Sequence, residues 1–252
     1  MGVRNRNLKL NKLPIFTFLL LGGGLGGWFC LDKAAGHIFE NVRPKIQMEL
    51  SKQIGQELLI GSYRGLRLWG IAIGPSKFMA KGSNYSTGKV EEMTIKFAPF
   101  ESLFNLRTVA ILIPKGTNIN LRKSDDGVYW SPVQLKGKSK RKIDIRLKIN
   151  DPASITLLPQ NINFKAQTNT LVKLSDKRIH ADLKLNLHDK GSFYISGKGS
   201  WDSLNLVSRA RFSKLKINPF IPLFNLSPSF TADGIVNGKM LLSLKKGRFD
   251  CK

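Results

Sequence analysis

Hydrophobic and polar residues are distributed along this chain in three successive patterns. Residues 14–31, PIFTFLLLGGGLGGWFCL, carry no charge, follow four basic residues (Arg4, Arg6, Lys9, Lys12) and are closed by Asp32 and Lys33. Residues 33–58 then place Ile46, Leu50, Ile54 and Leu58 at every fourth position among Lys45, Glu49, Lys52 and Gln56, which predicts an amphipathic helix. Pro44 would start that helix or kink it away from the apolar run. Beyond Gly61 and Gly65 the period changes to two. In residues 142–150, Ile143, Ile145, Leu147 and Ile149 alternate with Lys142, Asp144, Arg146, Lys148 and Asn150. Ala181, Leu183, Leu185 and Leu187 repeat this against Asp182, Lys184 and Asn186. Further strands are predicted over residues 67–73, 94–98, 109–113, 118–121, 162–166, 170–174, 193–196, 204–212 and 231–244. Turns are expected at 125–127, 189–191 and 197–199, a short helical turn at 99–105, and an irregular apolar stretch at 219–228. With no helices between them, the strands should pair antiparallel.

The apolar run is just long enough for a bilayer core, which takes about 20 helical residues at a rise of ~1.5 Å each. Pro14, Phe16, Phe18, Leu19, Leu20, Leu21, Leu25, Trp28 and Phe29 would form the membrane anchor, with Trp28 at the interface. The basic end stays in the cytoplasm by the positive-inside rule, so everything after Asp32 is expected on the far side. A cleaved signal peptide is the rival reading, but Trp28, Phe29, Cys30 and Leu31 make poor cleavage chemistry. Gly22/Gly26 and Gly23/Gly27 give two GxxxG spacings that would let membrane helices approach closely.

Each strand has one apolar face, and burying a side chain of that size is worth roughly 1.5–3 kcal/mol. A dozen such faces need a cover, and the sequence supplies one amphipathic helix. Either the sheet closes on itself as a β-sandwich, or it stays an open trough whose interior is filled by something else.

The 252 residues have a net charge of +24, spread as +4 over residues 1–31, +5 over 32–131 and +15 over 132–252. Export past a membrane makes nucleic acid an improbable partner and favours anionic headgroups or acidic protein surfaces. Lys136, Lys138, Lys140, Arg141 and Lys142 form the densest basic stretch: a solvated loop or an anionic-surface contact. Cys30 and Cys251 are too differently placed for a folding disulfide, so packing must hold the fold.

No reading of the motifs calls for an enzyme, a metal or a cofactor. The G-x-G-x-x-G match at Gly22, Gly24 and Gly27 lies inside the apolar run, with no strand before it. His37, His180 and His188 lack metal-ligand spacing. Glu91-Glu92 flanks a strand and Asp125-Asp126 makes a turn, neither suited to acid–base work. Trp69, Trp130 and Trp201 are expected to fill a β core.

The segment 60–78, IGSYRGLRLWGIAIGPSKF, with the anchor and helix before it, resembles the N-terminal part of the TamB (translocation and assembly module) family, especially its cyanobacterial and chloroplast-type branch. The resemblance rests on Leu68-Trp69-Gly70 and Gly74-Pro75-Ser76, on residues 90–97 before a short apolar helix, and on Gly127-Val128-Tyr129-Trp130. It covers roughly residues 10–135. It implies an inner-membrane protein with its bulk in the periplasm, related to AsmA-like and bridge-like lipid-transfer proteins. Such relatives take part in phospholipid movement, protein secretion and assembly of outer-membrane proteins, and contact a barrel partner through a C-terminal region that this chain lacks. On that basis Ile143, Ile145, Leu147, Ile149, Leu183, Leu185 and Leu187 would line an apolar groove for acyl chains. The strand pattern of Met240, Leu242 and Leu244 near the end suggests the front part of a longer architecture.

The expected protein is therefore mainly β: a cytoplasmic N-terminus (1–13), a transmembrane anchor (14–31), a helix with a first β region (32–131), and a continuing β region (132–252). The sheet is expected to be elongated, antiparallel and curved, with a closed β-sandwich as the alternative.

Overall fold

The computed structural model describes residues 13–54, 56–80, 85–122, 143–158, 161–173, 176–187, 191–200, 205–216, 218, 233–245 and 248–251, with side chains outside 13–26, 53–54, 104–105, 143 and 244–251. The expected turns at 125–127 and 189–190, the stretch at 219–228, Trp130, Trp201, His188 and the basic cluster Lys136, Lys138, Lys140, Arg141 and Lys142 lie outside the described residues.

Helix α1 runs unbroken from Leu13 to Ile54, through Pro44, so the apolar run and the amphipathic segment form one 42-residue helix. Among the residues with described side chains no helix is long and apolar enough to cross a membrane. Pro14, Phe16, Phe18, Leu19, Leu20, Leu21 and Leu25 of the expected anchor lie outside that set, as do Gly22, Gly23 and Gly26. Trp28 and Phe29 lie within it and are exposed, and a Cβ on Gly27 would meet open space. The helix stops short of the expected Leu58, which already belongs to a strand. Gln56, fully buried, donates its side-chain amide to the Ser86 carbonyl at 2.9 Å and so ties the chain into the sheet there.

The fifteen strands among the described residues belong to one open, curved sheet. Its first part consists of β1 (Glu57–Leu59), β2 (Tyr63–Arg67), β3 (Gly70–Ile73), β4 (Ser76–Met79), β5 (Thr87–Val90), β6 (Glu92–Phe97), β7 (Thr108–Lys115) and β8 (Asn118–Arg122). These are four long strands, each broken once near its middle. The β1, β4, β5 and β8 halves pair in that order on one side of the breaks, and β2, β3, β6 and β7 on the other. The breaks line up as a crease crossing the sheet, which bends it. Glycines sit along it: a Cβ on Gly61 would strike the backbone of Gly74, and one on Gly116, at φ 58°, would strike the Glu91 carboxylate.

Strand β9 (Ile143–Leu158) joins the two sides of the crease, running parallel to β7 over residues 143–147 and to β8 over 154–158. This corrects the all-antiparallel expectation. Residues 123–142 separate β8 from β9, and a connection of that length can return the chain to the end from which a parallel strand starts. The crease reaches β9 at Asp151-Pro152, where proline cannot donate to the ladder. A register shift between Ala166 and Thr168 absorbs the irregularity, and the Gln167 amide donates to the Asn150 carbonyl at 3.0 Å.

From β9 onward the strands are long and antiparallel: β10 (Ile162–Lys173), β11 (Arg178–Leu187), β12 (Gly191–Ser200), β13 (Asn205–Lys216), β14 (Ile235–Lys245) and β15 (Arg248–Cys251). The two strands expected at 162–166 and 170–174 are one. Gly197 and Gly199, expected in a turn, lie inside β12, where their neighbours on β13 come too close for a larger side chain. The short helix α2 (Pro99–Asn105) forms where it is expected, with Pro99 at its first turn.

Candidate functional site

Residues that sit opposite one another across a ladder share a face of the sheet. The registers therefore trace rows across the whole sheet. One row runs Leu66, Ile71, Ile95, Leu112, Leu147, Thr170 and Ala181. On the other side of the crease a second runs Leu58, Phe78, Gly88, Ile119, Ile155, Phe164 and Leu187. A third runs Ile149, Thr168, Leu183, Ile195, Ala210 and Met240. All three lie on the same face, so Ile145, Leu147, Ile149, Leu183, Leu185 and Leu187 are brought together as the alternation predicts. Ile143, whose side chain lies outside the described set, pairs with Thr108 at the start of β9.

This apolar face changes along its length. At the end where β9 meets β10 it forms a small core of Ile162, Phe164 and Leu187, packed by Ile155, Leu157, Leu185 and Leu215. Phe193 and Phe212 stack beside it with ring centroids 4.8 Å apart. Further along, Leu147, Ile149, Leu183 and Ile195 are only half-buried. Helix α1 packs against β1 and β2 and helix α2 against β7, with Glu101 reaching Arg146 of β9; among the described elements β9–β14 form a single layer. The middle of the layer is built of small groups, Gly197, Ser208 and Ala210, of which Ser208 and Ala210 are buried.

The opposite face of β9–β14 is polar and basic. Arg146, Lys148, Lys165, Lys184, Lys198, Arg209, Arg211 and Lys239 share it with two carboxylates, Asp144 and Asp182. Asp144 is buried and held by Arg107, whose Nη1 lies 3.4 Å from it and 3.0 Å from Asp176. Asp182 takes hydrogen bonds from Ser196 and from the Tyr194 hydroxyl at 3.0 Å, with His180 at 3.5 Å. These contacts, the Ser196 bond foremost, hold its carboxyl below the usual range. Arg211 sits directly opposite Lys239, and Arg209 lies two residues along, around a surface cleft of about 690 Å³ that also touches Tyr194 and Ser196.

No family model, curated protein or solved structure matches the chain.

The helix–sheet junction departs most from the sequence reading. Ile46 and Leu50, expected to bury the amphipathic face of α1, are exposed; Phe39 is the buried apolar contact, tilted against Tyr63 at 6.3 Å. The sheet edge presents N–H groups, and α1 meets them with polar side chains. Leu58 N–H donates to Ser51 Oγ (3.0 Å), Ile60 N–H to Gln47 Oε1 (3.1 Å), Tyr63 N–H to Glu40 Oε1 (2.8 Å) and Leu66 N–H to Asp32 Oδ1 (2.6 Å). The helix thus covers an edge that would otherwise be free to pair with another chain. The Tyr63 hydroxyl also donates to Asp32 at 2.7 Å. With the Leu66 N–H this holds the Asp32 carboxyl below its ordinary value, while burial and the bond to Asp32 push the Tyr63 hydroxyl up to about 12. The exposed Trp69 contradicts the expectation of a core residue. An i, i+4 count of hydrophobes misses such a junction; the spacing of Glu40, Gln47 and Ser51 on one helix face is the signal that could have found it.

Proposed function

We propose that this chain is a membrane-anchored, non-enzymatic component of envelope biogenesis that holds acyl chains along the apolar face of its sheet. The observation that carries the reading is that this face is apolar across the strands of one open sheet and has no second layer over β9–β14 among the described elements. Leu and Ile side chains left half-exposed forgo part of the roughly 1.5–3 kcal/mol each would gain on burial, and a hydrocarbon chain lying across them supplies it. The basic opposite face suits anionic headgroups or membrane surfaces.

In this reading residues 14–31 anchor the chain in the inner membrane with the sheet in the periplasm, as the uncharged run and its basic flank suggest. The likeness to the N-terminal part of the TamB family favours phospholipid movement, or help in the secretion and assembly of outer-membrane proteins, over a purely structural role. The same likeness implies a barrel partner in the outer membrane. Full-length protein extracted in mild detergent, washed and subjected to lipid analysis tests the reading. Co-purified phospholipid that is lost in a Leu183→Asp, Ile195→Asp variant is the expected result. Protein that folds and carries no phospholipid at any detergent concentration would overturn it.

A further inference from the structure

At two positions where the local backbone favours glycine, the chain instead places a large, exposed apolar side chain. Leu68 and Trp69 form the two-residue turn between β2 and β3, and Trp69 adopts a left-handed conformation, φ 62°. Leu106 caps α2 at φ 49°, with its N–H bonded to the Leu103 carbonyl at 3.3 Å. Such a conformation costs a residue with a Cβ about 1–2 kcal/mol. Yet Trp69 is 58% and Leu106 80% exposed.

The two belong to one patch. Phe97 N–H donates to the Trp69 carbonyl at 2.7 Å, and α2 begins two residues later. That helix is built inside out. Its polar residues face the sheet: Glu101 accepts from Arg146 at 3.1 Å, and Ser102 Oγ accepts the Val109 N–H at 2.9 Å. Its apolar residues face away, Phe100 at 70% and Leu103 at 71% exposure. Two exposed cations, Arg67 and Lys96, flank the turn, each paired with Gly70.

The hydrogen bonds between α1 and the sheet edge fix where this patch lies. From Ser51 to Asp32 the helix climbs 19 residues, about 28 Å. The chain bonded to it climbs from Leu58 to Leu66, about 26 Å in the opposite sense. Helix and strand therefore rise together, and Leu66 is level with Asp32, the first charge after the apolar run. The turn extends about two residues, roughly 7 Å, beyond Leu66. That brings its tip level with Trp28 and Phe29, inside the uncharged segment.

We infer that the Leu68–Trp69 turn, Phe97 and α2 dock into the outer surface of the same bilayer that α1 enters, so that the sheet's first strands begin in the lipid. The inference rests on the membrane-anchor reading of residues 14–31. An interfacial tryptophan between cations, and an apolar helix face lying in the plane of the headgroups, are what such a surface requires. Anchor and patch together hold the sheet in one orientation on the membrane.

Full-length protein in vesicles of phosphatidylethanolamine, phosphatidylglycerol and dibrominated phosphatidylcholine tests this, since bromine quenches tryptophan on contact. Trp69 is made the sole tryptophan by Trp28→Phe, Trp130→Phe and Trp201→Phe, and a second protein retains Trp28 alone. A fluorophore on Leu103→Cys, with Cys30→Ser and Cys251→Ser, provides an independent probe should the tryptophan set fail to fold. Trp69 and the Leu103 probe are expected to lose fluorescence to bromines placed about 5–10 Å below the headgroups. Quenching of Trp28 with Trp69 unquenched overturns the docking and leaves the anchor standing. A blue-shifted Trp69 that bromine does not quench means a protein covers the patch, which also overturns it. Quenching of Trp69 without Trp28 supports docking while removing the anchor.

Discussion

The two parts of the sheet solve the same problem differently. In β1–β8 the strands are three to eight residues long, each pair is interrupted at the crease, and specific polar contacts hold them: five bonds accepted by α1, and the Glu101–Arg146 pair and Arg107 bridge that tie this part to β9. In β9–β14 the strands run ten to sixteen residues and are joined by the ladder, by one apolar face and by side-chain bonds between strands, such as Tyr194 to Asp182 and Gln167 to Asn150. A short strand cannot rely on its ladder, so it borrows acceptors from the helix. A long one can, and we propose that its apolar face is left for hydrocarbon. The difference teaches that the first part fixes position and the second offers surface.

The contrast breaks most visibly in stability. Phe164→Ala, at the tight end, should cost about 3–4 kcal/mol in urea unfolding of delipidated protein. Leu183→Ala, mid-face and half-buried, should cost about 1 kcal/mol. Adding phospholipid should raise the cost of Leu183→Ala and leave that of Phe164→Ala unchanged; equal costs in both conditions would mean the two ends are packed alike.

Gly116→Ala places a Cβ in a left-handed position against Glu91, a penalty of about 1–2 kcal/mol. Amide exchange should quicken in β5–β8 and stay as it is in β11–β13. Quickening everywhere would show that the crease supports the whole sheet.

The Asp32–Tyr63 latch makes the first part pH-dependent at both ends of the scale, whereas Asp182, held low by Ser196, makes the second part dependent on the acid side. The folded Asp32 carboxyl lies below the ordinary 3.8, so its contribution is complete above that pH and is lost as pH falls through the folded value. Tyr63, raised from 10.0 to about 12, contributes fully below pH 10 and loses its contribution as pH climbs through 12. Exchange of the Leu66 amide should quicken in both windows in wild type, and in Asp32→Asn the acid window should vanish.

The smallest effect lies on the basic face. Arg211→Gln relieves repulsion from Lys239 directly opposite and should stabilise by about 0.2–0.5 kcal/mol at low salt. At 1 M salt, where charges are screened beyond about 3 Å, the gain should disappear.

Much of the second part was legible because strict alternation leaves a strand only one way to face. Ile145, Leu147 and Ile149 share their face with Leu183, Leu185 and Leu187 as read. The break at Asp151-Pro152 is not legible in the sequence, because β9 continues through a bulge that Gln167 repairs from the neighbouring strand. The parallel step beside β7 and β8 depends on the path of residues 123–142, where no hydrophobic period marks it. Gly197 and Gly199 resemble a turn in sequence, and only the close approach of β13 explains them in a strand. Residue type alone points Trp69 to a core. Its exposure follows from a turn that the spacing of Arg67 and Gly70 allows but does not announce.

Photo-crosslinking tests the central claim most directly: that one face of β9–β14 carries hydrocarbon and the other does not. Benzoylphenylalanine is placed at Leu183 on the apolar face or at its neighbour Lys184 on the polar one, in membranes containing native phospholipid. The account predicts a phospholipid adduct by mass at position 183 and none at 184. Adducts of equal yield at both positions, or a protein adduct in place of lipid at 183, would contradict it.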